Sequence, residues 1–234
     1  MSTDPSATSE ILPVDKLAAP YYQDDYVTIY HGDCRTLTSW LSADVLITDP
    51  PYGTAPGVGG AVGYGRRQLN QRGDQSMGQT IANDEDGAVP DEILALWGDR
   101  PACVFGSPRR PDPPGEWADR LVWDKKRPGM NGGPWRYRHE SIYVTAGFVR
   151  TNDAAVSVIE AWPDQSDHIH AKPHTLMLRL VAAAPLGVIA DPFMGSGSTL
   201  VAARELGRRV VGVELEERYC EVAVRRLGQG VLAL

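Results

Sequence analysis

Asp49-Pro50-Pro51-Tyr52 combines a carboxylate, two rigid residues and a flat ring within four positions. An amino group conjugated to an aromatic ring is a poor nucleophile, because its lone pair is delocalised. A carboxylate and a proline carbonyl can accept its two N–H bonds and draw the nitrogen toward a tetrahedral geometry. The prolines preset those acceptors at little entropic cost, and Tyr52 offers a face on which an extruded ring can stack. A proline-rich turn after a strand has the same composition, so the string needs a second feature beside it.

That feature is Asp191-Pro192-Phe193-Met194-Gly195-Ser196-Gly197-Ser198-Thr199. A strand, a Gly-Ser-Gly turn and a helix let backbone approach a ligand at a helix N-terminus. The next strand ends at Glu214, where an acidic side chain can accept both hydroxyls of a ribose. Phe193 adds an apolar wall. A nicotinamide dinucleotide fold shares this logic, but GxGxxG asks for a small third residue and position 200 is Leu.

The elements that must carry these strings follow from the hydrophobic pattern. Strands are expected at Tyr26–Tyr30, Asp44–Thr48, Ala102–Gly106, Leu121–Trp123, Ser141–Val144, Val188–Ala190 and Arg209–Glu214. Helices are expected at Thr36–Leu41, Pro90–Gly98, from Lys172-Pro173 through about Ala184, at Thr199–Glu205 with Gly207 as its stop, and at Arg218–Leu227. Such alternation predicts a doubly wound, mostly parallel α/β sheet. Residues 1–20 read as a polar tail and 21–234 as one domain. The glycines and arginines between Gly53 and Asn83 read as a long loop.

Bulk composition narrows the class. The chain has 234 residues, 42% of them hydrophobic and 23% charged, as in soluble globular proteins. No apolar run is long enough to span a bilayer, and the first residues lack the pattern of a signal peptide. Cys34, Cys103 and Cys220 are odd in number and far apart, which fits free thiols in the cytoplasm rather than a disulfide framework. The net charge of −7 leaves room for a local basic cleft, since phosphate contacts depend on where charges sit. His168, His170 and His174 are not spaced as a closed zinc site, so no metal is expected.

On these motifs the chain resembles the S-adenosylmethionine-dependent amino-methyltransferases of DNA, in the permuted group whose Asp-Pro-Pro-Tyr motif precedes the cofactor motif. The likeness runs from about Tyr26 to Leu227. It implies a seven-stranded Rossmann-like sheet with an antiparallel hairpin, in which the strands carrying the two motifs lie side by side. Asp49, Pro50, Pro51 and Tyr52 then form the catalytic loop. Asp191, Phe193, Gly195, Ser196, Gly197 and Thr199 form the cofactor loop, Glu214 holds the ribose, Asp33 flanks the adenine and Lys172 lies near the cofactor carboxylate. His139-Glu140 resembles the segment leading into a later core strand. Asp rather than Ser at position 49 favours adenine N6 over cytosine N4 in such families.

Larger relatives carry a recognition segment where this chain has only about Gly147 to Ala171. Recognition of duplex DNA with a flipped base then falls to Arg66, Arg67 and Arg72, to Lys125, Lys126, Arg127, Arg136 and Arg138, to a second copy in a homodimer, or to a separate recognition subunit. Ordinary solvated loops are the alternative for both clusters. Trp123 and Trp135 read as core aromatics, with base stacking as the other option. A cytosine-N4 DNA methyltransferase, an adenine-N6 methyltransferase of RNA and a catalytically silent DNA-binding subunit are the rival functions.

Overall fold

A computed structural model describes residues 19–51, 89–127, 135–149, 151, 156–163 and 171–230. The strands are β1 (Tyr22–Gln23), β2 (Val27–His31), β3 (Val45–Thr48), β4 (Ala102–Gly106), β5 (Asp119–Asp124), β6 (His139–Val144), β7 (Val158–Glu160), β8 (Ile189–Asp191) and β9 (Val210–Glu214). The helices are α1 (Val89–Trp97), α2 (His174–Ala183), α3 (Ser198–Glu205) and α4 (Glu217–Gly230), with a 3-10 turn at Thr38–Ser42. All nine strands form one sheet in the order β1-β2-β9-β8-β3-β4-β6-β5-β7.

The central strands β3, β4 and β8 are buried at every position, as their unbroken apolar runs require. Alternation along them feeds two cores. Val45, Ile47 and Ile189 pack with Leu176, Leu180, Ala202 and Cys220 beneath α2, α3 and α4. Leu46, Val104 and Ala190 pack on the opposite face with Trp40, Ile93 and Trp97. From β8 the chain winds through α3 to β9, and from β3 through α1 to β4, on opposite faces and in opposite directions. Strand order therefore reverses between β3 and β8, which are parallel neighbours with Val45 opposite Ile189 and Leu46 opposite Ala190. Open α/β sheets bind ligands at such a point.

The expected antiparallel feature is β6, inserted between β4 and β5 and antiparallel to both. Two short strands extend the expected seven to nine: β1 pairs with β2 and β7 with β5. At two and three residues they are too short to carry a pattern of their own. The helix expected at Thr36–Leu41 is a 3-10 turn, where the Trp40 indole donates to the Cys34 carbonyl (2.9 Å) and holds the chain in a tight corner. Helix α2 starts after Pro173 rather than at Lys172. The loop expected between Gly53 and Asn83 lies outside the described residues, as do positions 1–18 of the expected tail. No helix among the described residues is long and apolar enough to cross a membrane.

Candidate active site

The carboxyl ends of β2, β9, β8, β3 and β4 lie along one edge of the sheet, and both sequence motifs emerge there. They are joined directly. Asp191, 3% exposed at the end of β8, accepts hydrogen bonds from Thr48 Oγ1 of β3 (2.8 Å), Thr199 Oγ1 of α3 (2.5 Å) and the Phe193 N–H (3.2 Å). Burial pushes its carboxyl up to about 6, against the pull of those three donors. Asp191 and Thr199 thus spend their polar atoms inside the fold, clamping the two loops together.

The glycines between them do different work. Gly195 has φ +50°, and among the described residues a Cβ there would meet nothing within 4 Å, so its face is open toward them. Gly197, at φ +79°, caps α3, and a Cβ there would come within 2.9 Å of the Ala223 Cβ of α4. Ser196 is buried, its carbonyl and hydroxyl taking the Arg226 guanidinium (2.8 and 3.0 Å). Phe193 is half-buried beside the open face.

Glu214 ends β9 opposite this loop. Its carboxylate accepts the Gly195 N–H (2.9 Å) and the Glu216 N–H (2.8 Å), and burial pushes its pKa up to about 7. At the end of the neighbouring β2, Asp33 pairs with Arg35 (2.6 Å), whose guanidinium holds the Asp33 carboxyl below the usual range.

Asp49 and Pro50 follow β3 directly, with Pro50 buried and Pro51 half-buried. Lys172 reaches this loop rather than the glycine loop. Its ammonium pairs with Asp49 Oδ2 and lies 3.1 Å from Glu140 Oε2, while Glu140 also pairs with Lys125. Burial disfavours the Lys172 charge, but Asp49 and Glu140 outweigh it and raise its pKa. Burial likewise opposes the charge on Glu140, but Lys172 and Lys125 hold its carboxyl low.

The basic cluster is largely committed to partners. Besides Lys125, Lys126 pairs with Glu160 and Arg138 with Asp124 (2.6 Å). Arg127 lies over the Trp162 ring (5.5 Å) and Arg109 over Tyr137 (5.7 Å). Arg136 is exposed. Trp123 is core, its indole donating to the Ala161 carbonyl (2.9 Å), but Trp135 is 80% exposed and Trp162 60%. Tyr52, Arg66, Arg67, Arg72, His168 and His170 lie outside the described residues. His174 faces Glu205 (2.7 Å), and the described residues hold no cluster of metal-ligating side chains.

Sequence reasoning named Glu140 only as part of a segment and missed Trp162 altogether. A signal for Glu140 was present: on β6 it alternates onto the same face as Ile142 and Val144, both core residues. Trp162 directly follows the short strand β7 and Ala161, where an aromatic reads as more core, so it gives no such sign.

The sheet order and the paired loops at its switch point define a Rossmann-like methyltransferase fold. The family model described as DNA methylase, covering N6 and N4 enzymes, matches residues 135–225. That span takes in Glu140, Lys172, the Asp191 loop and Glu214. The Escherichia coli K12 methylase YubD is 29% identical over 226 residues, covering 84% of this chain and 88% of that protein. Type II methyltransferase M2.DpnII of Streptococcus pneumoniae is 39% identical over 71 residues, which are 30% of this chain and only 26% of that one. The solved M1.HpyAVI–SAM complex superposes with a TM-score of 0.59, covering 86% of this chain and 98% of that one at 20% identity, a likeness of fold. The chain is thus similar to DNA amino-methyltransferases, in sequence over residues 135–225 and along most of YubD, and in fold to the S-adenosylmethionine complex of M1.HpyAVI.

Proposed function

We propose that this protein transfers a methyl group from S-adenosylmethionine to the N6 amino group of adenine in duplex DNA, as a single domain spanning residues 21–234. The observation that supports the proposal is the pairing of β3 with β8, the strands from which the Asp49 loop and the Gly195 turn emerge.

The residues present fit the cofactor. The open Gly195 face admits the methionine part, with the half-buried Phe193 as its wall and Ser196, Gly197, Thr199 and Asp191 shaping the turn. Glu214 can add ribose hydroxyls to the N–H groups it already accepts, because a carboxylate has about four lone-pair sites. Asp33 would flank the adenine. When bound, S-adenosylmethionine supplies an electrophilic methyl carbon on a sulfonium.

The chain's own part is to prepare the nucleophile. With the target base flipped out and stacked on Tyr52, the Asp49 carboxylate and the Pro50 carbonyl accept the two amino hydrogens and free the nitrogen lone pair. The nitrogen would then take the methyl group from the bound cofactor, whose sulfur would keep the bonding electron pair, and one amino proton would pass to Asp49 or to water. Pro51 keeps the loop stiff.

For DNA, Arg127 and Arg136 are the available phosphate contacts at the β5–β6 end, and Arg66, Arg67 and Arg72 belong to the same reading. Lys125, Lys126 and Arg138 are tied to Glu140, Glu160 and Asp124, so their part is to shape that edge. The exposed Trp162 and Trp135 add stacking faces. A homodimer or a separate subunit would supply further recognition. The test is methyl transfer from labelled S-adenosylmethionine to mixed-sequence duplex DNA, with mass analysis of the nucleosides. N6-methyladenine is expected; N4-methylcytosine would replace the target base, and no labelled nucleoside would refute the proposal.

A further inference from the structure

We infer that Lys172 is a positioning residue for Asp49, braced from behind by Glu140, rather than a ligand of the cofactor carboxylate. The inference rests on Asp49 being the acceptor for the target amino group. Lys172 stands two residues before α2, and its side chain is 11% exposed. The ammonium sits 4.8 Å from the Phe105 ring centroid and 5.8 Å from that of Trp123. Its charged neighbours are Asp49 on the β3 loop and Glu140 on β6. These three groups come from three separate parts of the chain and converge under the catalytic loop.

An ammonium in such a place loses its hydration, and only close carboxylates compensate. With Lys125 beyond Glu140, the charges run Asp49, Lys172, Glu140, Lys125 in alternating sign and sum to zero. The arrangement answers a specific difficulty. Asp49 must hold one orientation, which a nearby cation ensures. The same cation would oppose the positive charge that grows on the target nitrogen as the methyl group arrives. Glu140 balances Lys172, so Asp49 is held without losing its strength as an acceptor. Glu140 therefore acts on the reaction without touching the substrate.

The test uses the full chain with Lys172→Met, Lys172→Arg and Glu140→Gln, measuring single-turnover transfer to duplex DNA at saturating cofactor and S-adenosylmethionine affinity by calorimetry. Lys172→Met is expected to slow transfer about 100-fold with the cofactor Kd changed by less than about threefold, in line with the loss of one preorganised electrostatic contact. Lys172→Arg, which keeps the charge, is expected to recover most of that rate, and Glu140→Gln to lose about tenfold in rate with unchanged Kd. A Lys172→Met protein that transfers at full rate but binds cofactor at least about tenfold more weakly would overturn the assignment. If Lys172→Met fails to fold, Glu140→Gln decides by the same split between rate and affinity. Melting of Asp49→Asn, Lys172→Met and the double variant without cofactor checks the pair independently of turnover. A double variant no less stable than Lys172→Met alone supports it, and additive losses contradict it. Wild-type protein that methylates no DNA would refute the proposed function itself, a result distinct from any of these.

Discussion

Replacing each of the two glycines of the cofactor loop by alanine should damage the protein in different ways. At Gly197 the new Cβ must accept a left-handed backbone, costing about 1–2 kcal/mol, and a 2.9 Å approach to the Ala223 Cβ. Overpacking of that kind adds about 1–3 kcal/mol. The sum is about 3 kcal/mol, which in a chain of this size lowers Tm by roughly 10 °C. At Gly195 the backbone is also left-handed, but the Cβ meets none of the described residues, so the cost is about 1–2 kcal/mol and a few degrees. There the methyl group occupies the open face, and S-adenosylmethionine affinity should fall at least about tenfold, since about 1.4 kcal/mol of lost contact is enough. Differential scanning calorimetry and isothermal titration on the two variants separate the effects. Gly197→Ala combined with Ala223→Gly should melt higher than Gly197→Ala alone, because the nearest remaining atom is the Ala223 Cα at 3.5 Å. A Gly197→Ala protein within about 1 kcal/mol of wild type, or no recovery in the double variant, would refute the packing argument.

Three further outcomes are expected. Thr48→Val removes one donor from the buried Asp191 carboxylate and should destabilise the fold by about 1–3 kcal/mol in urea unfolding; an unchanged midpoint would mean the bond does not hold the loops. Asp191 and Glu214 titrate near 6 and 7 in the fold, above their ordinary values of 3.8 and 4.5. The native state therefore holds more protons than the unfolded chain between about pH 4 and 7, and stability of the cofactor-free protein should fall as pH rises through that window. Glu214→Gln should flatten the upper part of that decline, and an unaltered profile would exclude Glu214 as its source. Trp162→Ala should weaken duplex binding by about 1–3 kcal/mol in fluorescence titration while leaving the rate at saturating DNA unchanged; equal affinity would remove Trp162 from the DNA face.

Both motifs were legible because each rests on local chemistry: two prolines after a carboxylate, and glycines where a strand turns into a helix. The long-range facts were less accessible. That β3 and β8 are neighbours followed from family resemblance, not from any local pattern. The resemblance puts Lys172 near the cofactor carboxylate; that its ammonium pairs with Asp49 is not legible, because sequence places it only at the entrance to α2 and says nothing about which loop that entrance faces. Of five basic residues expected on one DNA-facing stretch, Lys125, Lys126 and Arg138 have carboxylate partners from neighbouring strands. Such partners cannot be counted along the chain.

The Thr48–Asp191 bond has a consequence for how the sheet finds its alignment. Strands β3 and β8 share only two matched positions, at Val45–Ile189 and Leu46–Ala190, all apolar and nearly interchangeable if the strands slide. A slip of one residue would carry Asp49 about 3.3 Å along the sheet and turn alternate side chains to the other face. Thr48 would then lose Asp191, leaving the buried carboxylate with only the Thr199 hydroxyl and the Phe193 N–H. One hydrogen bond between residues 143 positions apart thus counts against the misaligned sheet and ties the start of the Asp49 loop to the start of the Gly195 loop.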